Sequence, residues 1–572
     1  MTPAMLWKFR EHDAPPPPEN LPDLAESLDI SPRLAHFLWQ RGMRGRDAVN
    51  AFLNPSLCGL APLESWPGLQ KAASLLAAGL LQGKKLCIWG DYDVDGISAT
   101  ALILDFLRAH GLDALRRIPD RLSEGYGLNT EGIAAVAGQG ADILLTVDCG
   151  ISDNEAVAYA KSLGMTVIIT DHHLPSGSLP EADATVNPRL LPCPCPALSG
   201  VGVAFFLAAA LNVELVAAGK SRVDVRDLLD LVALGTLADV VDLNGQNRIL
   251  VKNGLLKVAC GARVGLAALK SACNFSPGAA LGAGQVVFAL APRINAAGRL
   301  GSGETALKLF LSRDRTEAAA LASELSRLNS ARREEENRIF KEAAIQAEEE
   351  AGKGRLGLVL YSSGWHPGVV GIVAARIAEK LHRPTVILSE VEGRLKGSGR
   401  SVPGFDLHDA FSACSGLLLG YGGHKMAAGM SIRAELLEEF RMDFHTVVME
   451  RLGKAPAEAE CSIDSELPFA EADFHFLKEL EMLQPFGAGN VEPLFASLPV
   501  KVKRLHIRGD LTSLELQEEH SGLTRTAKVW RRPPGLQGNI EGKRIRIAYT
   551  PWIDRYNGTA TVELRLKDWK EL

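Results

Sequence analysis

Asp91, Asp93 and Asp95 stand at alternate positions in Asp91-Tyr92-Asp93-Val94-Asp95-Gly96, directly after the apolar run Leu86-Cys87-Ile88-Trp89-Gly90. Asp is a poor strand former, and three carboxylates in such proximity repel one another unless a cation neutralises them. Oxygen-only clusters of this kind suit hard divalent ions such as Mg²⁺ or Mn²⁺. Three more segments end in the same chemistry. Leu144-Leu145-Thr146-Val147 runs into Asp148-Cys149-Gly150, and Val167-Ile168-Ile169-Thr170 into Asp171-His172-His173. A helical stretch over 228–236 leads into Leu237-Ala238-Asp239-Val240-Val241-Asp242. Carboxylates at four such ends, with a histidine, are enough for two cations bridged by a shared carboxylate. Such a centre generates hydroxide near neutral pH and clamps the attacking and leaving oxygens of a phosphoryl group. Asp242 is explained equally well as a cap or a plain exposed carboxylate.

To converge, these residues need a sheet. The runs at 85–89, 143–147 and 166–170 are short and apolar, and helical stretches at 97–109 and 153–163 lie between them. That alternation predicts a parallel sheet covered by helices, which binds ligands at the carboxyl ends of its strands. Residues 303–351 lack proline and are rich in Ala, Leu, Glu and Arg, so they read as one long helix or two, with Arg332-Arg333-Glu334-Glu335-Glu336 as a solvated charged face. A second α/β segment follows, with strands at 356–361 and 384–388 and glycine clusters at Gly397-Ser398-Gly399 and Gly420-Tyr421-Gly422-Gly423. Strands at 500–507, 513–516, 525–530, 543–549 and 560–566 suit a small β-barrel. Residues 14–20 read as a stiff, extended proline tether before short helices over 22–54.

The bulk composition agrees. A chain of 572 residues holds three or four domains, and 47% hydrophobic with 23% charged residues describes an ordinary globular protein. The start, Met1 to Lys8, lacks a secretory pattern, no apolar run reaches membrane-spanning length, and nine scattered cysteines read as reduced thiols, so the expected location is cytoplasmic with no membrane. Cys193-Pro194-Cys195 has no second pair at zinc-finger spacing. Net charge is −6, yet residues 501–572 hold 15 Lys or Arg against 9 Asp or Glu, with Trp530, Tyr549, Trp552, Tyr556 and Trp569 interspersed. Basic plus aromatic on a small barrel fits single-strand binding, although each aromatic singly is better explained by the barrel core. No Gly-x-Ser-x-Gly elbow or phosphate-binding Gly-Lys-Ser/Thr loop is present, and Cys149 follows a carboxylate that would raise its pKa.

Asp171-His172-His173 resembles the signature triplet of the DHH phosphoesterases, and Gly90 to Gly96 resembles the first motif of their RecJ branch. Gly422-Gly423-His424-Lys425-Met426-Ala427-Ala428-Gly429 is similar to the Gly-Gly-His motif of the associated substrate-binding (DHHA1) domain. Arg293 to Arg299, Trp365 to Gly371 and Gln484-Pro485-Phe486-Gly487-Ala488-Gly489-Asn490 resemble RecJ segments in order, so the likeness covers about residues 45 to 572. It implies an N-terminal helical region at 1–69, a DHH catalytic domain at 70–300, a connecting helix at 301–352, a DHHA1-type domain at 353–456 and an OB-like barrel at 457–572. It further implies a 5′-to-3′ exonuclease on single-stranded DNA with two Mn²⁺ or Mg²⁺ ions, acting in repair and recombination. Metal-ligand positions would be Asp91, Asp93, Asp95, Asp148 (bridging), His172 and Asp239. Asp171 would orient its neighbour, and His173 would contact the scissile phosphate. Arg121, Arg293, Asn295, Arg299, Ser398, Arg400, Gly422, Gly423 and His424 would hold the strand. Partners implied are a single-strand-binding protein and recombination helicase machinery, with the chain itself a monomer. Trp89 stands where many DHH relatives outside the RecJ branch carry a histidine ligand, which throws the first metal onto Asp91. The rivals are a DHH phosphoesterase for short oligonucleotides or cyclic dinucleotides, whose members are far shorter, and an inactive DNA-binding scaffold, which would lose ligands.

Overall fold

A computed structural model describes residues 5–13, 15–190, 192–453, 460–530, 536, 540–554 and 560–572. Five parallel strands form the first sheet, in the order Leu115–Arg117, Leu86–Gly90, Ile143–Val147, Thr166–Thr170, Ala184–Val186. The three central strands are apolar and buried on both faces, as a sheet covered by helices on either side requires. Alternate residues divide between two cores. Leu86, Ile88, Leu145 and Val147 pack with helices Val94–Ala109, Gly200–Ala217 and Leu229–Ala238, whereas Cys87, Trp89 and Leu144 pack with Thr130–Gly138 and Asn154–Ser162. Helix Gly200–Ala217 is interrupted by Asn212 and Glu214, in keeping with the expectation that no unbroken apolar run reaches membrane-spanning length. Among the described residues it alone is long and apolar enough to cross a membrane, with mean hydropathy 1.9, but 72% of it is buried inside the fold, so its apolar character serves the core.

Residues 303–352 form two helices, Gly303–Leu311 and the 38-residue Arg315–Gly352, separated where Asp314 turns its side chain to cap the second. Ala318, Ala322 and Leu325 pack into the first core, and Ile339, Ala343 and Ala347 into a separate one with Leu358, Val370 and Val373. The helix therefore bridges two units. Its charged run is only partly solvated: Arg333 and Glu334 are exposed, but the Arg332 and Glu336 side chains are 13% and 14% exposed and pair at 3.0 Å, while Arg376 Nη1 meets Glu336 at 2.9 Å. The second sheet orders as Leu418–His424, Ala427–Ile432, Arg394–Arg400, Thr385–Val391, Leu358–Tyr361. Both glycine clusters lie in its strands rather than in turns.

In the C-terminal part, Val500–Arg508, Leu511–Glu518, Thr524–Val529, Thr561–Glu571 and Arg544–Asp554 pair in sequence, and Arg544–Asp554 pairs back to Val500 and Lys501. Helices Leu21–Ser27, Pro32–Gln40 and Arg46–Leu53 share a core with these strands through Leu34, Phe37, Phe476, Phe495 and Tyr549. Pro15 of the tether lies against that assembly, accepting a hydrogen bond from Trp39 Nε1 at 3.0 Å; Ala14 lies outside the described residues. Of the interspersed aromatics, Tyr549 is fully buried and donates to the Leu467 carbonyl at 2.6 Å, Trp530 is 68% exposed, and Tyr556 lies outside the described residues.

Candidate metal centre

Each acidic residue is delivered by the end of an element. Asp93 caps helix Val94–Ala109, its Oδ1 accepting from Asp95 N at 2.8 Å and Gly96 N at 3.1 Å. Asp95, in that helix's first turn, accepts from Gly200 N at 2.7 Å and Val201 N at 3.0 Å, at the positive end of helix Gly200–Ala217. Asp148 follows its strand in the left-handed region, at φ 65°, a backbone state that few non-glycine residues adopt and that collects at functional sites. Asp171 Oδ1 accepts from His172 N at 2.7 Å, His173 N at 3.0 Å and the His173 ring at 2.8 Å, and its Oδ2 accepts from Ile151 N at 3.0 Å. Asp239 is the C-terminal cap residue of Leu229–Ala238.

His172 is the centre of the group. Its Nε2 lies 3.1 Å from Asp148 Oδ1, 3.5 Å from Asp239 Oδ2 and 3.9 Å from Asp95 Oδ2. Among the described residues three sets have ligand atoms within 4.8 Å of one another: Asp91, Asp93 and Asp148; Asp95, His172 and Asp239; and Asp148, His172 and His173. Asp171 belongs to none of them, since its oxygens are occupied in orienting the two histidines. Two glycines permit the approach: a Cβ on Gly200 would fall 2.4 Å from Asp148 Oδ1, and one on Gly235 2.6 Å from Asp95 Oδ1.

The electrostatics mark the group as short of positive charge. Burial, then the neighbouring carboxylates, pushes Asp91 and Asp148 well above the carboxylate range, Asp95 up to about 7 and Asp239 up to about 9. Burial pushes His172 down to about 3, where its neutral ring can ligate. Burial opposes charge on His173 as well, but the hydrogen bond to Asp171 prevails and raises it to about 9. Asp171 mirrors this: burial works to raise it, and the His173 hydrogen bond and charge bring it below the usual range. Asp91 Oδ1, Asp148 Oδ1 and both ring nitrogens of His172 are buried without a hydrogen-bond partner. Buried polar atoms seldom go unmatched, and an all-oxygen set plus one neutral imidazole fits divalent cations in place of the protons that the carboxylates otherwise hold.

Trp89 takes no part. Its indole is buried on the other face of the sheet and donates to the Gly127 carbonyl at 3.2 Å.

The second unit closes over this centre. The His424 ring stacks on His173, centroids 6.3 Å apart with planes 6° from parallel, and a cleft of about 830 Å³ is lined by His172, His173, Asp239, Asp242, Gly423 and His424. Gly422 is exposed on the same edge strand. Arg400 Nη1 donates to Ser398 Oγ at 2.9 Å, Arg299 Nη1 donates to the Gly368 carbonyl at 2.8 Å, and the Arg121 guanidinium lies 4.9 Å from the Tyr92 ring. Burial first, then Arg121, Arg332 and Arg400, pushes Arg299 down to about 9, so these four cations are neighbours. Arg293 is not among them: it donates to Ser326 Oγ at 3.1 Å and the Ala289 carbonyl at 2.7 Å. Asn295 sits half-buried on the same helix, Ala291–Leu300.

Sequence reasoning passed over several participants. Arg189 lines the cleft and donates to the His172 carbonyl at 2.6 Å. Tyr126 OH, from the same loop as Arg121, lies 3.0 Å from His173 Nδ1. Arg332, hidden in a charge run, offered no signal.

Residues 85–236 match the DHH family N-terminal domain, 356–450 the DHHA1 domain and 463–568 the RecJ OB domain. Fold and site together therefore define a DHH-domain protein. The single-stranded-DNA-specific exonuclease RecJ of Salmonella typhimurium is 38% identical over 559 residues, spanning 94% of this chain and 93% of that relative. The crystal structure of RecJ in complex with Mn²⁺ from Thermus thermophilus superposes with a TM-score of 0.84 at 32% identity, covering 99% of this chain and 80% of the other. A structure of exonuclease RecJ bound to manganese, 39% identical, covers 68% of this chain and 96% of its own, with a TM-score of 0.59. The chain belongs to the RecJ family.

Proposed function

We propose that the protein is a metal-dependent exonuclease that degrades single-stranded DNA from its 5′ end to 5′-mononucleotides, as a cytoplasmic monomer in repair and recombination. The observation that carries this reading is the convergence of buried, unpartnered Asp and His ligand atoms at a cleft lined by Arg189, His424 and Lys425, with a cluster of four arginines beside Asp91. Asp91, Asp93, Asp95, Asp148, His172 and Asp239 would hold two Mn²⁺ or Mg²⁺ ions, with Asp148 common to both sides. Bound there, such ions make hydroxide available near neutral pH and neutralise phosphoryl oxygens.

The chain's own groups do the rest. His173, kept protonated by Asp171, donates to the scissile phosphate as charge develops on the leaving oxygen. Arg121, Arg299, Arg400 and Ser398 grip phosphate near the 5′ terminus, which sets direction. Gly422 and Gly423 let the strand approach the backbone, and His424 covers the reacting bond. In this scheme residues 70–300 are the catalytic domain, 301–352 the connector, 353–456 the binding domain, 457–572 a basic grip on the incoming strand and 1–69 its brace. A single-strand-binding protein and a recombination helicase would present the strand.

The test uses end-labelled single-stranded DNA with and without Mn²⁺, beside duplex DNA and a short RNA dinucleotide. The expected result is metal-dependent release of mononucleotides from the 5′ end of single strands alone, with Asp148→Ala lowering the rate by about a thousandfold. Cleavage of the dinucleotide with long DNA untouched would replace this reading with a short-substrate phosphoesterase, and undiminished cleavage by Asp148→Ala would end it.

A further inference from the structure

Asp239 ends a helix, and the chain must turn at once to leave the site. Val240 does so in the left-handed region, at φ 61°, with its side chain 62% exposed on the cleft wall. A β-branched residue in that state holds only where its surroundings fix it. Val240 has nothing over it, so the fixing comes from behind. Residues 240–244 form a strap from Asp239 to helix Gly245–Cys260. In the first turn of that helix Asn247 is fully buried, and its Nδ2 donates to the Asp242 carbonyl at 3.0 Å and to the Ala197 carbonyl at 2.6 Å.

The second of those carbonyls gives the contact its meaning. Ala197 lies just ahead of Ser199, whose side chain caps helix Gly200–Ala217 and shares a hydrogen bond with Thr236 Oγ1 at 2.7 Å, on the helix that ends in Asp239. Gly200 and Val201, next in line, supply the two N–H groups that hold Asp95. One amide thus ties the strap behind Asp239 to the segment that aims Asp95. Its own oxygen, Oδ1, is buried without a partner, which an apolar side chain of that volume would avoid. An amide retained at that cost is retained for its two donated bonds.

We infer that Asn247 is a positioning residue for one of the two cations, that held by Asp95, His172 and Asp239, and not for the one at Asp91, Asp93 and Asp148. The inference rests on the two-cation reading proposed above. It is tested by titrating Mn²⁺ into the full-length chain, by calorimetry and by electron paramagnetic resonance, for the unaltered protein, Asn247→Ala and Asn247→Leu. Two ions bind the unaltered protein. In the variants one ion binds about 10–100-fold more weakly, as losses behind a metal ligand generally give, while the other keeps its affinity. The Mn–Mn coupling signal weakens to match, and the DNA cleavage rate returns at raised Mn²⁺, which a merely loosened fold would not show. Equal weakening of both ions, no change in either, or failure of both variants to fold would overturn the assignment. Absence of Mn²⁺ binding by the unaltered protein would instead remove the two-cation reading itself.

Discussion

Two like-charge assemblies adjoin at Asp91 and Tyr92, one of carboxylates and one of arginines, and they are held in different ways. The carboxylates are fixed by backbone N–H groups. Asp93, Asp95 and Asp171 each accept backbone N–H groups from a helix start or a strand end, and only the atoms at the centre are left unmatched. The arginines arrive one by one from separate elements. Arg121 comes from a loop, Arg299 from helix Ala291–Leu300, Arg332 from the long helix and Arg400 from a sheet strand; Arg299 leans on the Gly368 carbonyl of another segment, while Arg332 bonds Asn329 in its own helix and Arg400 bonds Ser398 in its own strand. A negative cluster needs precision, because a cation accepts ligands only within a narrow range of distance. A positive cluster that grips a flexible polyanion needs density of charge more than geometry. The two should therefore respond differently to damage.

Short of removing a ligand, the largest effect is expected where geometry alone is disturbed. Gly200→Ala places a methyl group against Asp148 without altering any ligand, and single-strand cleavage should fall by about a hundredfold, with DNA binding unchanged in a metal-free gel-shift assay. A variant within threefold of the unaltered rate would erase the distinction.

On the positive side the loss should be smaller and fall on KM. Arg400→Ala should raise KM for single-stranded DNA roughly tenfold, as expected for one charge-assisted contact, and leave kcat nearly intact, whereas Arg293→Ala, turned toward Ser326, should leave both alone. A fall in kcat as steep as that of Gly200→Ala would show that the arginines too are held to a precise geometry.

The smallest effect separates protons from metal. Asp95 and Asp239, raised to about 7 and about 9 chiefly by burial, hold protons in the folded metal-free chain that the unfolded chain gives up above about pH 4. Their contribution to stability is thus full below that pH and is lost as pH rises toward 9. Measured with a chelator, the Tm should drop between pH 6 and pH 9; with Mn²⁺ the drop should shrink, so that the two curves diverge by several degrees. Parallel curves would mean that protons and cations do not compete for these oxygens.

The same contrast explains what could be read from the sequence. Strand ends followed by Asp91, Asp148 and Asp171 are contiguous words, so the parallel sheet and the clustering of carboxylates follow from period and spacing, whereas the individual ligand positions follow from the DHH resemblance. The glycines at 200 and 235 are not legible, because a close approach depends on which helix crosses which strand end. Arg332 was assigned to solvent because its neighbours Arg333 and Glu334 are indeed exposed, and only the packing of Arg376 beside Glu336 turns that face inward. Helix Gly200–Ala217 does not read as a continuous apolar element because Asn212 and Glu214 interrupt it, though tertiary contact buries 72% of it.

The core that joins residues 21–53 to residues 467–566 has a consequence in time. A chain made from its N-terminus at about 5–20 residues per second exposes its first helices on the order of half a minute or more before their partner strands emerge. Leu34, Phe37 and Leu38, fully covered in the finished protein, spend that interval as an open apolar surface while the catalytic domain folds between the two halves of their core. Assembly of this protein on the ribosome is consequently a race between that waiting surface and whatever else in the cell binds apolar helices.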